Sequence, residues 1–229
     1  MATHHAPSEY PPPVDSQKEF IKRELDDEEE LIEVGVAIVG GGTAGLACAN
    51  RLLQLLGDDP ELLESLGEVP VAVIEKAKTC GGHNLSGAVM RPGPLQELYP
   101  DMSRDEWRKA GFAFGEVEKE AVYLTPTSKR SIRIPTPPPF KNHGNEVISV
   151  AALARYQQQQ AEDAGAYILT ETSATKLIVE DGEVKGVRTG DKGRDKEGGE
   201  RATSSRAPTS PPRPPCWPRA AGATSPAPR

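Results

Sequence analysis

Residues 36–46 read V-A-I-V-G-G-G-T-A-G-L, and residues 69–75 read E-free and apolar until the last position, V-P-V-A-V-I-E. Val34–Val39 is a short apolar run, the pattern of a parallel strand buried on both faces. Gly40-Gly41-Gly42-Thr43-Ala44-Gly45 follows at once. Leu46, Ala49, Leu52, Leu53 and Leu56 then recur at helical spacing, and Gly57-Asp58-Asp59-Pro60 ends that helix. A short helix is expected at Glu61–Leu66 and a second buried strand at Val69–Glu75. G-x-G-x-x-G alone is weak. Preceded by a strand, opening a helix, and followed by an acid closing the next strand, it is a dinucleotide signature.

Each residue of the turn has a physical job. Gly40 makes the tight exit from the strand. Gly42, without a Cβ, lets a pyrophosphate approach the backbone. Gly45 lets helix and strand pack closely. The helix start offers unpaired N–H groups and partial positive charge to phosphates. Glu75 suits the two hydroxyls of a ribose and would repel a 2′-phosphate, which disfavours NADP. Thirty residues separate Gly45 from Glu75, more than the usual ~20, and the insert at 57–70 accounts for the excess.

The next segment bears on which dinucleotide binds. Glu75-Lys76 leads into Cys80-Gly81-Gly82-His83-Asn84-Leu85-Ser86-Gly87-Ala88. A small, glycine-rich loop this soon after the acid suits the long FAD molecule, whose ribityl chain and ring need close backbone. His83 is either a base or, more plainly, a hydrogen-bonding group at cofactor or backbone. Cys80 reads as a small residue near the cofactor, since no resolving thiol stands nearby. Cys48 reads as core of the first helix.

Outward from the signature, the rest of the chain is read in outline. Residues 1–33 are Pro-rich and then acidic, a solvated leader. Residues 88–140 read as irregular, with a helix near Asp105–Ala110 and a strand near Ala121–Leu124. Ser149 caps a helix running to Ala164, and Gly165 ends it. Ala166–Leu169 is a third strand. Thr175–Val179 and Glu183–Val187 flank Asp181-Gly182, a hairpin signal.

The net charge of −7 argues against nucleic acid and gives no basic footprint for anionic lipid. No apolar run reaches the ~20 residues of a spanning helix, and the acidic start fits neither a secretory signal nor a transit peptide. Three cysteines, Cys48, Cys80 and Cys216, none in C-x-x-C, make a dithiol site or zinc knuckle a poor fit. A reducing compartment without disulfides is expected.

These stretches resemble the electron-transfer flavoprotein–ubiquinone oxidoreductase family. The likeness rests on Val36–Leu46, on Val73–Ala88 with its G-x-H-x-L-S-G-A, and on Asn142-His143-Gly144-Asn145 followed by a helix and the Asp181-Gly182-x-Val184-Lys185-Gly186-Val187 hairpin. It covers roughly residues 34–200. The resemblance implies an α/β, glutathione-reductase-like FAD/NAD(P)-binding Rossmann-type fold, incomplete, with a β-hairpin crossover and an inserted substrate-region segment at about 88–145. It implies FAD and one [4Fe–4S] cluster as cofactors, electron-transfer flavoprotein and ubiquinone as partners, and a place on the cytoplasmic side of the inner or plasma membrane. Gly40, Gly42, Thr43, Ala44, Gly45, Glu75 and Lys76 would hold the ADP part of FAD. Gly81, His83, Leu85, Ser86 and Gly87 would line the rest, and residues 141–145 would lie near the ring or the quinone path. Membrane contact at 86–100 is weakly supported, because that stretch is neither long nor very apolar. Three cysteines cannot supply a four-cysteine cluster. Another FAD-dependent reductase or monooxygenase, such as a geranylgeranyl reductase, and a non-functional truncated product are the rival readings. No catalytic side chain is singled out, because a flavin moves electrons without a side-chain acid–base pair.

Residues 201–229 break the pattern. They carry five arginines, eight prolines and no acid, whereas residues 1–200 carry 22 basic against 34 acidic residues. The codons of Pro215-Cys216-Trp217-Pro218-Arg219, read one base earlier, must encode Leu and Ala and can encode V-L-A-E. The continuation can encode G-x-x-G-H-L, which resembles the family's next flavin-binding strand. An out-of-frame, disordered tail from about residue 201 is expected; a native Pro/Arg-rich tail is the plainer reading.

Overall fold

The computed structural model describes residues 32–190, together with the backbone of residues 21–22, 192–194, 200–205 and 209–210. Strand β2 (Val36–Val39) runs into helix α1 (Thr43–Gly57), then helix α2 (Pro60–Ser65) and strand β3 (Val71–Ile74). Strand β1 is the pair Ile21–Lys22. β2 and β3 pair in parallel, Val36 opposite Val71 and Val39 opposite Ile74. Strand β9 (Tyr167–Leu169) adds in parallel on the far side of β3, so β3 is central and buried at all four positions. The sheet is covered by α1 and by helix α5 (Val150–Asp163). Leu46, Ala49, Leu53 and Leu56 of α1 meet Val71, Val73, Ala154 and Ala161 in one core. Asn50, buried in α1, donates to the Leu46 carbonyl and across to the Gln157 carbonyl, each at 2.8 Å, tying α1 to α5.

The sequence places these elements within one to three residues; α1 begins at Thr43, three residues before the expected Leu46. Ser149 caps α5 by accepting from the Ala152 amide, and Gly165 at φ +94° lets the chain turn out of it. The hairpin of β10 (Ala174–Glu180) and β11 (Glu183–Thr189) turns through Asp181 and Gly182, both at positive φ (50° and 81°), the signature of a two-residue hairpin turn.

Two expectations need correction. Residues 88–140 are more regular than expected: the helix near Asp105–Ala110 and the strand near Ala121–Leu124 are present, at Arg104–Lys109 and Val122–Thr127, and further elements join them. Strands β4 (Ala88–Met90), β5 (Ala113–Glu116) and β8 (Glu146–Ile148) form an antiparallel sheet in the order β4-β8-β5, with helices α3 (Gly93–Leu98) and α4 (Arg104–Lys109). Strands β6 (Val122–Thr127) and β7 (Arg130–Ile134) make a separate hairpin. Three- and four-residue strands are too short for alternation to show. Their order comes from a second core of Leu95, Trp107, Phe112, Ala113, Ile148 and Leu153.

The flanks are also not wholly structureless where they are described. β1 pairs in parallel with β10. β12 (Lys192–Arg194) pairs with β13 (Glu200–Ser205), and β14 (Thr209–Ser210) pairs with β11. A hairpin leaves both outer edges with unpaired backbone groups, and neighbouring chain satisfies them whatever its side chains. None of these segments joins the parallel sheet. The remaining leader and tail positions, Cys216 among them, lie outside the described residues.

Candidate functional site: a glycine turn, a helix start and a buried carboxylate

β2 ends at the centre of the site. Gly40 has φ +107°, and its amide donates to the Ile74 carbonyl at 2.8 Å, which holds the turn to the tip of β3. A Cβ on Gly45 would lie 2.0 Å from the Gly40 carbonyl oxygen, so no other residue lets the first turn of α1 seat so closely on the strand. Gly42 differs. A Cβ there would meet only the Asn84 Oδ1, at 3.9 Å, so its outer face is open. Gly42 is also the N-cap of α1. It has no side chain to cap with, and the first turn carries no acid. Thr43, Ala44 and Gly45 therefore open a fifteen-residue helix whose dipole faces that open side.

Glu75 follows directly on β3 and is 9% exposed. Its Oε2 accepts from the Gly41 amide at 2.6 Å and its Oε1 from the Ala77 amide at 2.7 Å. Each oxygen keeps a further lone pair. The carboxylate is thus fixed in orientation by backbone and can still accept from a diol. It borders a cavity of about 220 Å³ lined by Val39, Gly40, Ile74, Lys76, Thr172 and Ser173, with Ala174 at its rim. Thr172 reaches there because its amide donates to the Glu75 carbonyl at 2.9 Å. Lys76 is exposed beside it.

The 80–87 loop is pinned at its start and open at its end. The Gly81 amide donates to the Gly41 carbonyl at 3.1 Å, and Gly81, at φ +73°, packs against Ala154 so closely that a Cβ would come within 2.7 Å. Cys80 is fully buried over Gly41, where a Cβ would lie 2.5 Å from its Sγ. Burial, reinforced by the Glu75 carboxylate, pushes its thiol up to about 11, so it is no thiolate at neutral pH. Cys48, expected in the core, is exposed on α1. His83 is exposed, Leu85 is 90% exposed, Ser86 Oγ lies 2.8 Å from Ser149 Oγ, and Gly87 sits at φ +88°.

The sequence reading singles out Gly40, Gly42, Gly45 and Glu75, which the structure sets around one turn. It missed Gly41, whose amide orients Glu75 and whose lack of a Cβ makes room for Cys80; the run of three glycines was the available signal. It also missed Thr172–Ala174, because nothing in a polar turn announces that it ends beside β3. Residues 141–145 hydrogen-bond within the inserted region. The Asn142 amide donates to Glu120, His143 Nδ1 lies 3.0 Å from the Glu118 carbonyl, and Arg104 donates to the Gly144 carbonyl.

No protein-family model matches the chain. Curated relatives do. The chain is 38% identical over 176 residues to the electron transfer flavoprotein-ubiquinone oxidoreductase of Pseudomonas aeruginosa, covering 75% of this chain and 30% of that protein. It is 37% identical over 186 residues to the mitochondrial protein of that name from Dictyostelium discoideum (80% and 28%) and 34% over 209 residues to the human one (90% and 31%). The chain thus spans about 30% of the length of these relatives. Among solved structures, a geranylgeranyl bacteriochlorophyll reductase-like protein from Thermoplasma acidophilum superposes with a TM-score of 0.49 at 19% identity, over 80% of this chain and 38% of that one.

Proposed function

This chain is related in sequence to the electron-transfer flavoprotein–ubiquinone oxidoreductases, and on that premise we propose that residues 34–200 form part of the FAD-binding domain of an FAD-dependent electron-transfer enzyme, with residues 34–75 as its ADP-binding end. The observation that carries the reading is the pairing of an uncapped, side-chain-free helix start at Gly42 with a carboxylate held in place by the Gly41 and Ala77 amides. A diphosphate at the first and a ribose diol at the second are the two ends of one ADP group. Gly42, Thr43 and Ala44 would donate backbone N–H groups to the phosphates. Glu75 would accept from the 2′ and 3′ hydroxyls, and Lys76 would border the adenosine. Gly81, His83, Leu85, Ser86 and Gly87 would meet the ribityl and ring portions. When bound, FAD supplies the electron-carrying chemistry; the protein's part is to bind, orient and shield it.

By the same relationship the donor would be electron-transfer flavoprotein and the acceptor ubiquinone, at the cytoplasmic face of the inner or plasma membrane. Among the described residues no helix is long and apolar enough to cross a membrane. A [4Fe–4S] cluster does not fit this chain: Cys48 is exposed on α1, Cys80 is buried over Gly41, and the chain has three thiols in all.

Titration with ADP, followed by calorimetry, tests the core of the reading. Gly42→Ala is the discriminating variant. Gly42 has φ −81° and open space about it, so alanine fits without strain. It should melt like the parent and bind ADP about tenfold more weakly, the cost of ~1.4 kcal/mol at the phosphate approach. Unchanged ADP affinity would remove the phosphates from Gly42.

A further inference from the structure

The open face of Gly42 is bounded at one point. Among the described residues, its chain neighbours aside, a single heavy atom comes within 4 Å of a Cβ placed there: the Asn84 Oδ1, at 3.9 Å. Backbone bonds build that approach. The Gly81 amide donates to the Gly41 carbonyl at 3.1 Å, which pins the loop one residue away from Gly42. Gly82 then donates to the Thr79 carbonyl and Asn84 to the Gly81 carbonyl, each at 3.0 Å, closing a tight turn. Gly81 is wedged against Ala154 of α5. Asn84, half-buried, leaves this turn with its carboxamide at the start of α1.

The two segments that meet here carry no charge. Residues 34–50 and 79–90 contain no Lys, Arg, Asp or Glu. A phosphate lying between them meets neutral N–H donors rather than a point cation. The start of α1 supplies backbone amides from one side. The Asn84 carboxamide can supply the complement from the other, because Nδ2 carries two N–H donors. As the side chain stands, Oδ1 faces the glycine. A half-turn about its terminal torsion, which is soft, presents Nδ2 instead without moving the chain.

We infer that Asn84 clamps the second phosphate of the bound diphosphate, the one farther from the adenosine, and thereby sets a preference for adenosine diphosphates over monophosphates. The inference rests on the ADP reading above and deepens it. Glycine turn and loop run side by side, which orders the ligand. Cys80 lies at Gly41, together with Glu75, the ribose end. Asn84 lies at Gly42, one step farther from Glu75 along both segments. The phosphate next to the ribose is then met by the helix start. The next one comes within reach of Asn84, ahead of Ser86 and Gly87 in the same loop. An Asn side chain suits the place: it has few torsions to freeze and no charge to desolvate, and its donors grip an anion that the amides alone would hold from one side.

Calorimetric titration of the full chain, Asn84→Ala and Asn84→Asp, each with AMP and with ADP, tests it. The parent should bind ADP more tightly than AMP. Asn84→Ala should lose about tenfold for ADP, the worth of one hydrogen bond to a charged group, and keep its AMP affinity. Asn84→Asp has the same shape with the donor replaced by negative charge, and should lose more for ADP than Asn84→Ala does. Both variants should melt with the parent, because backbone bonds hold the turn. A parent that binds neither nucleotide overturns the ADP reading and this one with it. Four outcomes overturn the role of Asn84 alone: a parent that binds ADP no better than AMP, an Asn84→Ala that keeps its ADP affinity, an Asn84→Ala that loses AMP and ADP alike, or an Asn84→Asp that binds ADP as well as the parent.

Discussion

Glu75 shows how a single side chain carries both fold and site. Its two oxygens accept from two backbone amides that have no other strand partner, Gly41 and Ala77. Glu75→Gln keeps the shape but offers one oxygen where two are needed, so one backbone N–H must face an amide N–H. A buried donor left unmet costs about 1–3 kcal/mol. The variant should therefore melt lower and lose ADP affinity together, by thermal denaturation and calorimetry. An unchanged melting temperature would mean the carboxylate is not held as described. Cys80 makes a second residue-scale prediction. With its thiol at about 11 under burial and the Glu75 charge, it stays protonated at pH 8, whereas Cys48 is exposed. Timed alkylation read by mass spectrometry should label Cys48 well before Cys80. The sign for stability follows. A thiol ionising near 9 when unfolded and near 11 when folded contributes full stability below pH 9 and loses it from pH 9 to 11.

Among the elements, periodicity was legible where elements are long and local, and silent where they are short and assembled from afar. α1 and α5 announce themselves by spacing and caps; the β10–β11 hairpin does so through Asp181-Gly182. The β4-β8-β5 sheet pairs Ala88 and Ala113 with the same Ile148, a meeting no local window can anticipate. What orders it is α4 beneath. Ser103 and Glu106 close a capping box, and Arg108 reaches back to clasp the fully buried Glu146 through two nitrogens, at 2.9 and 3.1 Å. Trp107, fully buried between them, is the anchor. Trp107→Ala should cost about 3–5 kcal/mol, enough to unfold the inserted region in a marginal domain. Near-ultraviolet circular dichroism of the variant checks this; a native-like spectrum and melt would show that Phe112 and Leu95 hold the sheet unaided.

Over the whole molecule, the glycine turn and Glu75 are tightly held while the end of the 80–87 loop is open: Leu85 stands 90% exposed, His83 is exposed, and Gly87 has open space about it. The 229-residue chain should accordingly bind FAD no more than about tenfold tighter than ADP, and should not reduce quinone with reduced electron-transfer flavoprotein as donor. Stoichiometric FAD on purification, or quinone turnover, would contradict this. Moving the reading frame by one base near codon 200 should replace the Pro/Arg-rich tail with apolar sequence and raise FAD affinity. The tail's role was the least legible part of the sequence, because composition reports on solvation and says little about backbone pairing. The order of the parallel sheet has a consequence for how the chain comes off the ribosome. β9 lies against β3, yet more than ninety residues separate them, nearly all of the inserted region. At ~5–20 residues per second of synthesis, β3 waits roughly 5–20 seconds with its V-A-V-I edge unclaimed. The nascent chain is in that interval a natural client for holding chaperones, and slower growth temperatures, by weakening apolar association as well as lowering crowding of nascent chains, should favour its recovery.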